Sequence, residues 1–229
     1  MITALLVSVN YSDYLEVALP YNVLQFDQII VLTIESDKAC QDLCSKHSNV
    51  KCLVFPDKLI KKNGLNFNRG ALFNEGFKYL NETGYSDWLI MTDSDIIFPE
   101  NFKELMLSKK KDPNILYGMG RKTCNSSTDI KNQIRRIKKT KNTREAFFGF
   151  CQIFMYKTNE FKYEEHNVVR GDVIFLSQFS EELRKLPIPE RWRQKTLKNI
   201  PNFITLPING IHLGESGVNW TGRKSQTFV

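Results

Sequence analysis

The sequence predicts a single α/β domain in which helices flank a mixed, mostly parallel central sheet. Short apolar runs alternate with segments of helical periodicity, which is typical of βαβ units. The chain has 229 residues, of which 41% are hydrophobic and 12% aromatic, enough for one packed core. No internal repeat or low-complexity linker divides it. We therefore expect one domain over residues 1–229, with residues 1–98 and 99–229 as its two halves.

Strands and helices alternate at the start of the chain. Apolar runs predict strands at residues 4–9, 28–33 and 50–55. Helices are predicted from Ser12 or Asp13 to about Tyr21, from Ser36 or Asp37 to about His47, and from Asn68 to Leu80. Because each strand is followed by a helix, the strands are expected to be parallel.

Shorter elements follow further along the chain. Strands are predicted at residues 88–91, 115–119, 147–156 and 204–208. Helices are predicted over residues 100–107 and 172–186. After the last strand, a turn-rich run is expected to begin at Gly210.

The positive charge is concentrated in one segment. Residues 121–144 hold nine Lys or Arg and one acid, a net charge of +8, so that the rest of a chain of net charge +7 carries −1. This segment is predicted to be a loop or a mobile helix that faces an anionic ligand, or else a solvated face. No aromatic residue occurs between Tyr117 and Phe147. Nucleic-acid binding is therefore not expected.

Cysteine spacing predicts reduced and mostly buried thiols, and hydropathy bears on membrane spans. Five cysteines at irregular spacing include Cys40 and Cys44, but no second pair completes a zinc site. No apolar window of eighteen residues occurs, so no membrane span is expected. The N-terminus leads directly into a strand without a basic region. We expect no signal peptide and a cytoplasmic protein.

The most informative motif is Asp93-Ser94-Asp95, which lies between the apolar runs 88–91 and 96–98. Two carboxylates in so apolar a setting are costly unless a charge compensates them. A divalent cation is the natural compensator, and it would next bind phosphate oxygens. A solvated turn is the alternative. Phosphatases of the haloacid-dehalogenase type also use D-x-D, but on the first strand and with Thr or Val where this chain has Ile97.

The motifs in their order resemble the GT-A glycosyltransferases, particularly those similar to family 2. Four segments carry the resemblance: a βαβ start with Asn10-Tyr11, residues 68–76, residues 93–95, and a tail with residues 212–214 and 219–223. The resemblance extends to small viral and phage enzymes, including the N-terminal domains of chlorovirus glycosyltransferases. The resemblance implies the GT-A (Rossmann-like) fold, with donor binding in residues 1–98 and acceptor binding in residues 99–229.

A divalent metal is part of what the resemblance implies. Asp95 would be the main ligand of Mn²⁺ or Mg²⁺, and Asp93 would bind the ribose or assist through water. His212 would supply a third ligand, and an imidazole beside carboxylates suits Mn²⁺. A buried structural histidine is the alternative for His212. A cation placed there would stabilise the departing nucleoside diphosphate.

Further donor contacts follow from the same resemblance. Ser94 lies within the motif, and Arg69 and Arg223 could reach diphosphate oxygens bidentately. Surface positions are the alternative for both arginines. Asp37 matches a position that contacts the base or ribose, with Glu35 as its rival and a helix N-cap as the alternative. The expected donor is a UDP-sugar, carrying a hexose or a deoxyhexose such as rhamnose.

The resemblance places the general base at Asp172. A carboxylate must accept the proton of the attacking hydroxyl if transfer inverts the anomeric centre. The predicted helix N-terminus favours the ionised form of Asp172. An N-cap role is the alternative, and Glu164 and Glu165 are reserve candidates for the base. The acceptor, a glycan or glycoconjugate, is expected to contact these residues: Phe150, Gln152 and Trp220.

The sequence therefore predicts a metal-dependent glycosyltransferase. A sugar nucleotidyltransferase is one alternative, but residues 8–12 after the first strand lack the glycine-rich phosphate loop of that class. A non-catalytic nucleotide-sugar or glycan-binding module on the same fold is the other.

Overall fold

Eight strands form one sheet in the part of the chain that the structure, a computed structural model, describes. That part comprises residues 1–139, 150–157, 161–165, 171–185, 202–214 and 227–228. The strands are β1 (Ile2–Val7), β2 (Gln28–Ile34), β3 (Val50–Phe55), β4 (Trp88–Asp93), β5 (Ile96–Ile97), β6 (Leu116–Cys124), β7 (Cys151–Met155) and β8 (Phe203–Leu213). Their order in the sheet is β3-β2-β1-β4-β7-β6-β8-β5.

Seven α-helices lie within these ranges. They are α1 (Ser12–Asn22), α2 (Lys38–Ser45), α3 (Arg69–Glu82), α4 (Phe102–Leu107), α5 (Ile130–Lys139), α6 (Gly171–Leu176) and α7 (Glu181–Lys185). Three 3₁₀ segments cover Asp57–Gly64, Ser127–Asp129 and Ser177–Phe179. None of the helices in the described ranges is long and apolar enough to cross a membrane.

The first four large strands are parallel, as predicted. Leu5 of β1 is opposite Ile30 of β2 on one side and opposite Met91 of β4 on the other. The carboxyl ends of these strands therefore meet at one edge of the sheet. Beyond β4 the sheet becomes mixed, because β7 pairs with it in the antiparallel direction and places Gln152 opposite Met91. Ligands of open α/β sheets bind outside the carboxyl ends of the strands.

Different helices cover the two faces of the sheet. Along β1, Leu5 and Val7 pack in the apolar cluster that includes α3. Ala4 and Leu6 point the other way, into the cluster that includes Leu15 of α1. Burial of a leucine side chain contributes about 2 kcal/mol to the free energy of folding. The run of apolar residues in β1 thus reflects a strand covered on both sides.

The predicted fold class is confirmed, but several element boundaries are wrong. The strand predicted over residues 115–119 is β6, which continues to Cys124 and so into the basic segment that was predicted as a loop or a mobile helix. The last strand does not end at residue 208, since β8 continues to Leu213 between β6 and β5. Gly210 lies inside this strand, not in a turn. The space beside it is short, since a Cβ added to it would lie 2.8 Å from Met119 Cε. The predicted helix over residues 172–186 is divided into α6, a 3₁₀ turn and α7. The division of the domain into two halves stays a prediction.

Candidate active site

Asp95 and His212 come together because β5 pairs with β8. Ile96 is opposite His212 in this antiparallel pair, and the Leu213 N–H donates to the Asp95 carbonyl at 2.8 Å. Asp95 Oδ2 consequently lies 3.6 Å from His212 Nε2, and the two side chains are 13% and 7% exposed. Ser94, which is also buried, occupies the turn just before Asp95. The structure thus juxtaposes two residues that the sequence predicted as metal ligands.

The surroundings of His212 favour a neutral ring. Burial, and then the charge of Arg121, lowers the pKa of His212 below its ordinary value, so the imidazole is uncharged near pH 7. Its Nδ1 lies 3.3 Å from the carbonyl oxygen of Gly214. When Nδ1 carries the proton and donates to that carbonyl, Nε2 presents a lone pair toward Asp95. Metal-binding histidines commonly donate their second ring N–H to a carbonyl in this way.

Asp95 and His212 fit a divalent cation as a pair of ligands that leaves other positions open. Two ligands of one ion with bonds near 2.1 Å lie roughly 3 Å apart, so the pair at 3.6 Å must close slightly. No cluster of three His, Cys, Asp or Glu side chains suited to a metal occurs in the described ranges. Mg²⁺ is usually held by one or two carboxylates together with substrate phosphates. A site with two protein ligands would leave its other positions to water or phosphate oxygens.

Arg69 joins the acidic motif to the predicted base. It is the first residue of α3, after Asn68, whose side chain caps the helix by accepting the Ala71 N–H at 2.9 Å. The Arg69 guanidinium donates through Nη1 to Asp93 at 2.8 Å and through Nη2 to Asp172 at 2.5 Å. Arg69 was predicted to contact the diphosphate. In this structure its guanidinium donates to two carboxylates instead.

Partial burial and neighbouring charges set the pKa of Asp93. Burial raises the pKa of its carboxyl to about 7, although Arg69 acts to lower it. The negative charges of Asp95 and Asp172 raise it further. Perturbed carboxyl groups of this kind concentrate at functional sites. A cation bound beside Asp93 would reverse the penalty on its ionised form.

The pKa of Asp172 departs from the direction that the sequence indicated. A helix N-terminus was expected to favour its ionised form, but burial raises the pKa of Asp172 above its ordinary value. The charge of Arg69 and the hydrogen bond from the Tyr163 hydroxyl oppose this shift without cancelling it. α6 begins at Gly171, so Asp172 lies in the first turn and is not the N-cap. A raised pKa makes Asp172 a stronger base than predicted.

Tyr163 is a site residue that sequence reasoning missed. Its hydroxyl donates to Asp172 Oδ1 and accepts from Arg69 Nη2 at 2.9 Å. Its ring lies against two glycines: a Cβ on Gly171 would be 2.6 Å from Tyr163 Cε1, and one on Gly70 would be 3.1 Å from Tyr163 Cδ1. A lone tyrosine in a polar segment carries no sequence signal, but Gly70 and Gly171 each stand beside a predicted site residue.

A small pocket, partly open to solvent, lies beside this network. Its walls are formed by Arg69, Phe73, Met91, Thr92, Asp93, Phe150, Gln152, Tyr163 and Asp172. Gln152 is 3% exposed, and neither of its amide atoms has a hydrogen-bond partner among the residues that the structure describes. A buried amide in this state is commonly satisfied by an ordered water or a bound ligand. Phe150 also lies under the Arg121 guanidinium, which is 5.3 Å from the ring centroid.

Other predicted residues lie away from the pocket or outside the described ranges. Asp37 caps α2 by accepting the Cys40 N–H at 3.2 Å, and it also accepts the Asn10 N–H at 2.7 Å. The reserve candidate Glu165 is paired with Lys62 at 2.7 Å. Two predicted contacts lie outside the described residues: Trp220 and Arg223.

Comparison with solved structures shows the fold. No family model and no curated protein sequence matches this chain. A mannosyltransferase, PcManGT from Pyrobaculum calidifontis, in complex with GDP-Man and Mn²⁺, has a TM-score of 0.52 and 11% identity over 95% of this chain and 58% of its own. This chain therefore corresponds to little more than half of that enzyme.

Two further structures are less similar. The galactosyltransferase LgtC, with donor and acceptor sugar analogues, has a TM-score of 0.46 and 12% identity over 89% of this chain and 73% of its own. Glucosyl-3-phosphoglycerate synthase from Mycobacterium tuberculosis, with Mn²⁺, UDP and phosphoglyceric acid, has a TM-score of 0.45 and 10% identity over 93% and 70%. The similarity to PcManGT shows the GT-A (Rossmann-like) fold that the sequence predicted. The narrower resemblance to family 2 and to chlorovirus enzymes stays a prediction.

Proposed function

We propose that this chain is a divalent-metal-dependent glycosyltransferase that moves a sugar from a nucleotide-sugar donor to a hydroxyl of a glycan or glycoconjugate. One observation carries the proposal. Asp95 and His212 form an open pair of ligands 3.6 Å apart, at the edge of the sheet where Asp93 and Asp172 share Arg69. A cation site suits a diphosphate. The neighbouring carboxylates and the buried amide of Gln152 suit the sugar that the diphosphate carries.

The protein ligands of the metal would be Asp95 and His212, with Asp93 close by or acting through water. Bound Mn²⁺ or Mg²⁺ would supply positive charge at the leaving diphosphate. The imidazole favours Mn²⁺ among these two ions. Ser94 would lie against the donor. The donor is expected to be a UDP-sugar, with a hexose or a deoxyhexose such as rhamnose.

Asp172 is the proposed general base. Its Oδ1 accepts hydrogen bonds from Arg69 and Tyr163, so we propose that Oδ2 accepts the proton. The acceptor oxygen would attack the anomeric carbon as its proton passes to Asp172 and the bond to the diphosphate breaks. Attack from the side opposite the leaving group inverts the anomeric configuration. The raised pKa of Asp172 brings its basicity nearer to the working pH.

Gln152 and Phe150 would contact the sugar or the acceptor inside the pocket. Gln152 has both a donor and an acceptor to offer to hydroxyl groups. Phe150 lines the pocket, and aromatic side chains are of the kind on which sugars pack. Three further contacts stay predictions from the sequence alone: Asp37, Trp220 and Arg223. The cytoplasmic location is likewise a prediction.

Thermal unfolding with Mn²⁺ and a nucleoside diphosphate tests the proposal. We expect Mn²⁺ plus UDP to raise the melting temperature more than either alone, because each completes the binding site of the other. Asp95→Asn should remove this synergy. Asp42→Asn, at an exposed position on α2, is the matched control and should retain it. A panel of nucleotide sugars scored for slow donor hydrolysis then identifies the donor.

Two other functions give different outcomes when the panel also contains nucleoside triphosphates with sugar 1-phosphates. A sugar nucleotidyltransferase would release pyrophosphate from a nucleoside triphosphate and a sugar 1-phosphate. A binding module would be stabilised by a nucleotide sugar without hydrolysing it. Either result would replace the proposed transfer reaction.

A further inference from the structure

Helix α5 presents a basic face to solvent. Two of its three isoleucines, Ile130 and Ile137, are buried against the sheet, and Ile134 is partly buried in the same cluster. On the opposite side, Lys131, Arg135 and Arg136 are exposed. We call these three residues the basic face of α5. The helix is therefore anchored by its apolar side, and its charge is fixed in place on the surface.

The concentration of charge on this face is unfavourable for the isolated helix. Lys131 and Arg135 are four residues apart, a spacing at which like charges repel on a helix. The acid nearest in sequence, Asp129, accepts a hydrogen bond from Gln133 at 2.7 Å. The surrounding segment, residues 121–144, has a net charge of +8 while the rest of the chain has −1. A fixed patch of one sign is expected to bind a partner of the opposite sign.

The chemistry of the face selects among anionic partners. The large hydrophobic side chains that are exposed in the described ranges lie elsewhere: Met1, Leu24, Val54, Leu107 and Ile204. The face thus lacks the apolar anchors that form the centre of a protein interface. The segment also lacks the aromatic residues on which nucleic-acid bases stack. A surface of anionic headgroups requires neither, since polybasic segments bind it through charge alone.

We propose that the basic face of α5 docks this protein on a membrane surface that contains anionic phospholipids. Because Ile130 and Ile137 are packed inside the protein, the contact is electrostatic and no side chain of their row inserts into the bilayer. The same apolar cluster contains Ile211 and Leu213, the neighbours of His212. Docking would therefore hold the edge of the sheet that bears His212 close to the membrane. The proposal goes beyond the proposed function and does not depend on it.

Flotation of the full chain with vesicles tests the proposal. Vesicles of phosphatidylcholine with roughly 30% phosphatidylserine should bind the protein at low salt, and pure phosphatidylcholine should not. Binding should fall steeply as salt shortens the Debye length. Each basic residue near such a surface is worth about fivefold in partitioning. The variant Lys131→Gln, Arg135→Gln, Arg136→Gln is thus expected to bind about 100-fold more weakly.

A charge-matched control separates the face from the overall charge of the protein. Lys58→Gln, Lys61→Gln, Lys110→Gln removes three exposed lysines elsewhere and gives the same net charge. It should bind anionic vesicles nearly as well as the unmodified chain. Equal loss in both triple variants, or no binding to anionic vesicles at all, would overturn the proposal. So would competition in which single-stranded RNA displaces the protein from vesicles at equal phosphate concentration.

All substitutions in this experiment are at exposed positions, and circular dichroism melts check that each variant folds. Should the triple variant of α5 fail to fold, the single variants Lys131→Gln and Arg135→Gln serve instead. Each should lower partitioning about fivefold. Single variants that leave partitioning unchanged would overturn the proposal equally.

Discussion

His212 Nε2 lies 3.6 Å from Asp95 Oδ2, and the pairing of two strands sets this distance. β5 has only two residues, yet it places Ile96 opposite His212. The turn that carries the acidic motif is thereby tied to the last strand of the sheet. A metal site built from these two residues depends on this strand pair.

Arg69 should contribute to stability as well as to the site. Arg69→Met leaves Asp93 and Asp172 without their shared cation, and we expect the free energy of unfolding to fall by about 2 kcal/mol at pH 8. Both carboxylates are partly exposed, at 32% and 25%, which keeps the loss below that of a fully buried pair. Urea unfolding measures it. In the double variant Arg69→Met, Asp172→Asn, the loss of unfolding free energy should be smaller than the sum of the losses in the two single variants.

Asp172→Asn separates binding from transfer. The amide oxygen of asparagine can still accept from Arg69 and Tyr163, so the network should persist. The side chain can no longer take a proton, and we expect the transfer rate to fall at least about 100-fold. Affinity for Mn²⁺ and UDP, measured by calorimetry, should change less than about threefold. Loss of nucleotide affinity in parallel with activity would refute the assignment of Asp172 as base.

Gln152→Met should stabilise the protein while impairing its reaction. The buried amide of Gln152 has no partner among the described residues, and removing such a group gains about 1 kcal/mol. Methionine has a similar volume, so the pocket wall should stay packed. Gln178→Met is the contrasting variant. Its amide donates to the Lys162 carbonyl at 2.8 Å, and its loss should lower the melting temperature. A lower melting temperature for Gln152→Met would contradict this account of the pocket.

Asp27 gives the stability a defined pH dependence. Its carboxylate accepts the Ile2 N–H at 2.7 Å and pairs with Lys103 at 2.6 Å. Burial raises the pKa of Asp27, but these two partners lower it more, to below 3.8. The stabilisation is therefore complete above pH 3.8 and is lost as the pH falls through the folded-state pKa. Asp27→Asn should cost about 1 kcal/mol at pH 7, measured by urea unfolding, and the difference should disappear as the pH falls through the folded-state pKa of Asp27.

Local sequence signals located most of the sheet. β3 matches its predicted range of residues 50–55, because apolar residues ending at a proline give an unambiguous strand. β8 was predicted too short, since Gly210 resembles a turn residue in sequence. β8 lies between β6 and β5, and Gly210 lies close to Met119. Both relationships depend on tertiary packing, which a single segment cannot reveal.

The candidate site was likewise predicted only in part from the sequence. Asp93, Asp95 and His212 stood out by residue type and order, and the structure brings the last two together. Tyr163 could not be predicted, because its role depends on Arg69 and Asp172, which come from two other segments. The direction of the pKa shift at Asp172 was also wrong. Burial decides that shift, and burial follows from packing.

Calorimetric titration of Mn²⁺ into the chain saturated with UDP tests the central claim most directly. We expect a single Mn²⁺ to bind the unmodified chain. Asp95→Asn and His212→Gln should each weaken that binding at least about tenfold, whereas the surface variant Asp42→Asn should leave it unchanged. A UDP complex that binds no Mn²⁺, or one that binds it equally well after Asp95→Asn, would contradict the assignment of this pair as the metal site.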